Sequence, residues 1–466
     1  MEITRTREVL EAAHRAWLKL ADLRQRRERY KNFTYGRQWN DTIYDNDGRA
    51  ISEEELASRC GRTPLTNNLI RPMVKCVIGR YRDRRAQQRV NHDNAVRKAY
   101  SVNQLNELDC RTLEEFLISG CAIQRVVNEH RPMGRGVWVD NVSPRRFFIN
   151  NITDIRGWDT ELIGMLHDMS LAEVVMRFSH GDAATADRLR AIYRDMRTGG
   201  MSDGFFTAPA GRCRVVEVWT LESCETVECH DPETGSMSRL TTEAADDLKR
   251  ENRQRQSSGR PQLKWRKTTD IQWHCRYISP RGDLLHERHS RLASGQHPFI
   301  VKLYPLVDGE IHSFVEDIID QQKYVNRLIT LIDHVMSTSA KGVLLFPYRQ
   351  KISNMSWEDV GKQWSACDGI IPYDPRNGEP APQQLVSHSG DIGAYDLLDL
   401  EMKLFRDVSG VSEALSGHGT SGAKGNSMYE NQVYNATVAL ADLLDTFGGF
   451  IEWRDRIMRE NIEITN

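Results

Sequence analysis

The last third of the chain most constrains what it can fold into. Two amphipathic helices flank a compact insert punctuated by proline and glycine, and a glycine-rich loop then leads into a long third helix. The first helix is read from Ser313 to Ser337; on a helical wheel Ile318, Val325, Leu328, Ile329, Ile332 and Val335 share one side, with Glu316, Asp320, Lys323, Arg327 and His334 opposite. The second, Ala394 to Val408, gathers Leu397, Leu400, Leu404, Phe405 and Val408 on an apolar face and Asp396, Asp399, Lys403, Arg406 and Asp407 on a polar one. Lys403 stands four residues from both Asp399 and Asp407, so its charge is expected to be compensated locally. Between the helices, Lys341 to Gly390 carries a strand (Val343 to Phe346), a short helix around Trp357 to Trp364 and a proline-rich return from Ile371 to Pro382. The segment Ser416 to Ser427 is too rich in glycine to continue a helix. One copy alone would leave apolar helix faces exposed to water, which soluble proteins avoid. No internal repeat is present, so any symmetry comes from copies of the chain.

Upstream the periodicity alternates between helix and strand. A charged helix is expected over residues 1 to about 32, ending in the basic run Arg24 to Lys31. The aromatic residues Phe33, Tyr35 and Trp39 interrupt it, and helices follow from Leu69 to Arg85 and from Ala95 to Ser119, with a second basic run over Arg80 to Arg89. Both runs read as solvated faces, contact with nucleic acid or a neighbouring subunit being the alternative. Cys121 to His130 and Gly136 to Pro144 shorten toward period two, as in a hairpin leading into Arg145 to Asn150. Ser170 with Glu173 forms a capping box for a helix to Phe178, and Thr185 to Met196 supplies another. Arg214 to Ser223, Asp270 to Ser279 and Phe299 to Val307 read as strands. Residues 33 to 310 are therefore a mixed α+β body, with Asp246 to Gln262 as an exposed, mobile insertion.

Charge and chemistry exclude several classes. The 63 basic and 65 acidic side chains give a net charge of -2, whereas a protein gripping DNA through many phosphates carries a basic surplus. Near-neutrality suits a surface along which a polyanion slides, and equally an ordinary enzyme. No apolar run approaches the length of a membrane span, and the acidic, amphipathic start fits neither a secretory signal nor a transit peptide, so synthesis in the cytoplasm is expected. Nine unevenly spaced cysteines argue for reduced thiols. The glycine loop superficially resembles a phosphate-binding loop, yet Ala423 separates Gly422 from Lys424 and no strand precedes it. Cys224, Cys229, His230, His274 and Cys275 are the one set that could converge on zinc, but their spacing is poor; thiols without a metal are the expectation, and no cofactor is implied.

The succession helix, insert, helix, glycine loop, long helix resembles that of the portal proteins of tailed bacteriophages. Tyr35 to Asp41 is similar to the family's early G-x-Q-W segment, and Thr63 to Arg82 to its asparagine-bearing helix. Val142 to Asp159 resembles the wing segment before an Asp-rich turn, and Ile318 to Arg327 the Q-x-x-x-N opening of the first stem helix. These matches fall in the family's order across nearly the whole chain. The resemblance implies a helix-rich α+β portal fold: an N-terminal arm (1–66), a mixed wing (67–310), a first stem helix (311–340), a clip (341–390), a second stem helix (391–411), a tunnel loop (412–427) and a long helix (428–466), with the crown short or absent.

It further implies a non-enzymatic, dodecameric ring at the capsid vertex of the virion, assembled in the host cytoplasm and conducting double-stranded DNA. Terminase, major capsid or scaffolding protein and tail adaptor are the implied partners. Val325, Leu328, Ile332, Leu397 and Leu404 would pack the stem; Lys403, Arg406, His418, Ser421, Lys424 and Asn426 would line the channel. Tyr348, Trp357, Trp364 and Tyr373 would anchor docking at the clip. Twelve helices ~10 Å apart make a ring ~38 Å across with a lumen of about 28 Å, wide enough for a duplex. The rival reading is an enzyme acting on nucleic acid, with a basic surface and the loop closing on substrate; it lacks an acid cluster for metal ions.

Overall fold

The computed structural model describes residues 2–45, 47–87, 94–131, 134–195, 204–241, 244–290, 292, 295–339, 343–365, 370–375, 378, 380–385, 393–411, 438 and 440–464. The chain forms two compact units, each assembled from separate stretches: Met1–Glu28, Val77–Phe314 and Thr437–Asn466 in the first, Arg29–Cys76 and Val315–Ala436 in the second.

The first unit is built on an antiparallel sheet in the order Leu284–His289, Lys264–Ile278, Cys213–His230, Leu162–Met169, Phe147–Ile149, with Met237–Thr241 added beside Cys213–His230. Alternation along Cys213–His230 explains how both faces are covered: Val215, Glu217 and Trp219 point one way, Val216 and Val218 the other, and all five are buried. Val216 and Val218 join Phe148, Leu162 and Ile278 under Leu10, Ala13 and Ala16 of the helix Glu2–Lys19. Trp219 and Val215 face a second core with Phe147, Phe299 and Ile123. Gly164 is required where these layers close: a Cβ there would stand 2.0 Å from the Glu217 carbonyl oxygen and 2.5 Å from the Phe148 ring. A three-stranded sheet, Phe299–Leu303, Cys121–Arg131 and Gly134–Asn141, completes the unit with the helices Leu105–Ser119 and Ala441–Glu463.

The mixed α+β class and most elements agree with expectation, including the Ser170–Glu173 capping box. Four differences have local causes. The first helix is two, Glu2–Lys19 and Ala21–Thr34, broken where Leu20 turns into the core. The expected helix from Ala95 to Ser119 is also two, because Asn103 donates to the Ala99 and Val137 carbonyls and accepts from the Val139 amide, and Gln104 adopts φ 49°. The expected strand from Phe299 to Val307 divides: Phe299–Leu303 pairs with Cys121–Arg131, whereas Pro305–Val307 turns to pair with Glu310–Ile311. The stretch read as a mobile insertion instead forms the helix Ala244–Ser257. It buries Leu248 against Val227, Cys229 and Leu263, pairs Arg255 with Asp231 at 3.0 Å, and binds Leu263 main chain through Asn252.

The second unit holds the hairpin Thr42–Tyr44/Ala50–Ser52, the helix Glu53–Arg59, and an extended run to Leu69. It also holds the helices Ile319–Ser339 and Ala394–Ser409, which pack together. Between these two in sequence lie the strand pair Val343–Leu345/Gln383–Leu385 and the helix Trp357–Ser365.

Candidate functional site

Helix Ile319–Ser339 is held by a ladder that the hydrophobic pattern alone does not show. Gln322, Asn326 and Thr330, four residues apart and buried, accept from the amides of Leu69, Asn67 and Leu65 at 2.8, 3.0 and 3.1 Å. Two geometries match here: four helical residues rise about 6.0 Å, and two extended residues about 6.6 Å. Every second amide of the extended run thus meets the next side chain down the helix. The Gln322 amide returns a bond to the Asn67 carbonyl at 2.8 Å, and Asn326 donates to Gln38 at 2.5 Å. Gln38 in turn donates to the Phe33 carbonyl and to Asn68, which donates to the Thr34 carbonyl. Three stretches distant in sequence are tied by buried amides whose polar groups are mutually satisfied.

The charged side of this helix is also engaged. Lys323 contacts Asp41 at 2.8 Å and Glu53 at 2.5 Å, Arg327 contacts Glu53 at 3.0 Å, and Arg29 binds Asp41 through two bonds of 2.9 Å. Burial works against ionised Asp41, but Arg29 and Lys323 outweigh it and hold the carboxyl below its ordinary range.

Helix Ala394–Ser409 is packed on a different face from the one its pattern suggests. Phe405 and Ser409 are buried and Leu398 and Met402 partly so, whereas Leu400, Leu404 and Val408 are 50, 40 and 45% exposed. Spaced by four, these three form one continuous apolar stripe that flanks the inward-facing Phe405 and lies away from Leu398 and Met402. Tyr324, Leu331, Met336 and Tyr395 add exposed apolar surface to the same helix pair. Lys403 is exposed and makes no ion pair with Asp399 or Asp407 among the described residues, so the expected local compensation is not built as contacts.

In the insert, Tyr348 stacks on Trp357 at 5.8 Å and 24°, Phe346 meets Trp357 edge-on, and Lys351 lies 5.8 Å over the same ring. Beneath, Gln350 and Val360 are buried and Lys351 bridges to Tyr373. Tyr348 remains 81% exposed, as does Ile370.

The family model described as Phage P22-like portal protein matches residues 10–464. The chain belongs to that family. No curated protein sequence matches it. A portal protein is a structural, non-enzymatic component of the virion, an oligomeric ring at the capsid vertex through which DNA is packaged and ejected. No described helix is long and apolar enough to cross a membrane.

Of the portal residues expected from sequence, Val325 and Leu328 are buried within their own subunit, Ile332 and Leu397 are partly covered, and Leu404 is exposed. Arg406 is partly buried; His418, Ser421, Lys424 and Asn426 lie outside the described residues. Tyr348, Trp357 and Tyr373 come together in the insert, with Trp364 partly buried on the helix Trp357–Ser365. The thiols and imidazoles weighed as zinc ligands are kept apart by strand register. Cys229 pairs with Trp265 and Cys275 with Trp219, ten positions along the ribbon, about 33 Å. Among the described residues no group of three or more potential ligands is placed to hold a metal.

In the sequence Gln38, Asn68, Gln322 and Asn326 fall in three separate segments, and the ladder they share arises only in the fold. The available signal was the polar repeat Gln322, Asn326, Thr330 at intervals of four inside an otherwise apolar side. Nothing local marked Arg454, which is fully buried against Asp109 at 2.8 Å with Tyr100 beside it.

Proposed function

We propose that the helices Ile319–Ser339 and Ala394–Ser409 are the stem of the portal ring, that residues 341–390 are its clip, and that 412–427 form the tunnel loop reaching into the DNA path. The observation that carries this reading is the stripe Leu400, Leu404, Val408, which a single subunit leaves to water although the helix's other side is packed. A neighbouring copy covers it, and head-to-tail repetition of that contact closes a ring. Twelve copies are the number the family resemblance implies. The strip bearing Asp396, Asp399, Lys403 and Asp407 then faces the channel, acid-rich enough to avoid trapping phosphates. The clip, with Tyr348 and Trp357 as large anchors, docks terminase during packaging and the tail adaptor afterwards. Capsid or scaffolding protein meets the first unit.

Mass photometry of Leu404→Asp and Val408→Asp tests the stem. A buried, unpaired carboxylate in each subunit contact is expected to leave monomers in place of rings. Normal rings in both variants would move the subunit contact elsewhere. Deleting Ser416 to Asn426 is expected to preserve rings but lower DNA retention in filled heads, with Lys424→Glu milder and salt-sensitive.

A further inference from the structure

The first unit contains a cleft of about 430 Å³ bounded by strand Cys121–Arg131, helix Leu171–Phe178 and edge strand Leu284–His289. Six of its lining side chains are cationic or can become so: His130, Arg135, Arg177, His180, His286 and Arg288. One carboxylate, Glu129, also lines the cleft, and it belongs with Arg177 to a connected ion network whose charges do not balance. Three carboxylates meet three guanidiniums: Glu217 with Arg125 at 3.0 Å, Asp140 with Arg131 at 2.5 Å, Glu129 with Arg177 at 2.5 Å.

Arg288 is left over. It has no carboxylate within ion-pair distance among the described residues, and its Nε is buried without a hydrogen-bond partner. Its nearest companions are the Trp219 ring at 5.7 Å and the Tyr277 and Cys275 side chains, with the Glu217 carboxylate, already held by Arg125, attracting it from beyond ion-pair distance. Burial pushes both the Tyr277 hydroxyl and the Cys275 thiol up to about 12, so neither is an anion at neutral pH. Glu287, the next residue on the strand, turns to His274 and Arg276 instead, and Asp182 caps Thr185. His167, hydrogen-bonded to Glu217 at 2.7 Å, has its pKa lowered by burial and adds no negative charge. Arg135, exposed, contributes a second unbalanced charge.

We propose that this cleft binds a small tetrahedral oxyanion of the phosphate type, either free or as the terminal phosphate of a nucleotide. Arg288 and Arg135 supply the two charges a dianion needs, and guanidinium donors match its oxygens. His180, at φ 49°, has its Nε2 3.4 Å from His286 Nδ1, and both rings line the cleft, where an anion can accept from them.

Calorimetric titration of the full chain with sulfate, a dianion at neutral pH, tests this. One saturable site is expected. Arg288→Met should weaken it at least ~10-fold, as losing a charged hydrogen bond does, and His286→Gln should weaken it several-fold. Arg135→Gln, at an exposed position, should weaken it several-fold without affecting folding and carries the test if Arg288→Met does not fold. Inorganic phosphate and a nucleoside monophosphate distinguish the two sources: uptake of phosphate alone assigns the free ion, tighter uptake of the nucleotide assigns the terminal phosphate. No saturable sulfate binding, or binding undiminished in the arginine variants, overturns the proposal.

Discussion

Two amphipathic helices of this chain have similar patterns and opposite fates. Ala441–Glu463 buries Leu443, Leu444, Phe447, Phe450, Ile451, Ile457 and Met458 on one side and satisfies even its inward charge, Arg454, with Asp109 and Asp455. Ala394–Ser409 buries only Phe405 and Ser409, although Leu400, Leu404 and Val408 are spaced just as regularly. The first helix is completed by its own subunit. The second holds apolar surface in reserve, which is the property a ring-forming family member needs of a subunit contact.

The comparison is broken most sharply at Arg454. Replacing it with Met takes both guanidinium bonds from the buried Asp109 carboxylate and leaves Arg85 as its remaining cation, so a loss of about 3–5 kcal/mol in urea unfolding is expected. Arg454→Met with Asp109→Leu should recover part of that, because the fully buried carboxylate goes with its partner and only the less buried Arg85 and Asp455 lose a contact. A loss below about 1 kcal/mol for the single variant would mean that Asp109 is adequately held by Arg85, 3.0 Å away.

Next in size is the amide ladder of the second unit. Asn326→Ala removes the acceptor for the Asn67 amide and the donor to Gln38, and should cost about 1–3 kcal/mol, read as a shift in urea midpoint at constant slope.

A smaller, pH-dependent effect sharpens the contrast from the first unit. Burial beside Trp273 and Phe299 pushes the His297 imidazole down to about 4. Between its ordinary 6.5 and that value the unfolded chain takes up a proton that the folded one refuses. Stability attributable to His297 is thus intact above pH 6.5 and falls with acidification at up to about 1.4 kcal/mol per pH unit. His297→Gln should remove that slope from unfolding curves recorded between pH 6.5 and 4.5; an unchanged slope would assign it to other groups.

The smallest effect on one chain belongs to the reserved stripe. Leu404→Asp should change monomer unfolding by no more than about 0.5 kcal/mol, since an exposed site loses little, while ring assembly is lost. Large monomer destabilisation would mean that the stripe packs within the subunit after all.

Most elements were legible because their signals are local. Capping chemistry placed Leu171–Phe178, periodicity placed Ile319–Ser339, and proline and glycine bounded the insert. Strand lengths were not: Cys213–His230 and Lys264–Ile278 run on as a paired ribbon well past the residues that read as strand, because each supplies the other's hydrogen bonds. Likewise half of the helix Ala244–Ser257 is charged, and tertiary contacts dock it: Leu248 on Val227 and Cys229, Arg255 on Asp231, and Asn252 on the Leu263 main chain.

By itself the sequence determined the α+β class, the two helices that flank the insert, and the family, since all three rest on spacing along the chain. Tertiary structure alone decided which apolar face of Ala394–Ser409 turns inward. It also decided that Gln38, Asn67 and Asn326 meet, and that Arg288 is one guanidinium too many. The physical reason is common to these cases. A helix with apolar residues around much of its circumference has two acceptable burials, and a polar side chain has many acceptable partners. Only the geometry of what lies opposite chooses among them.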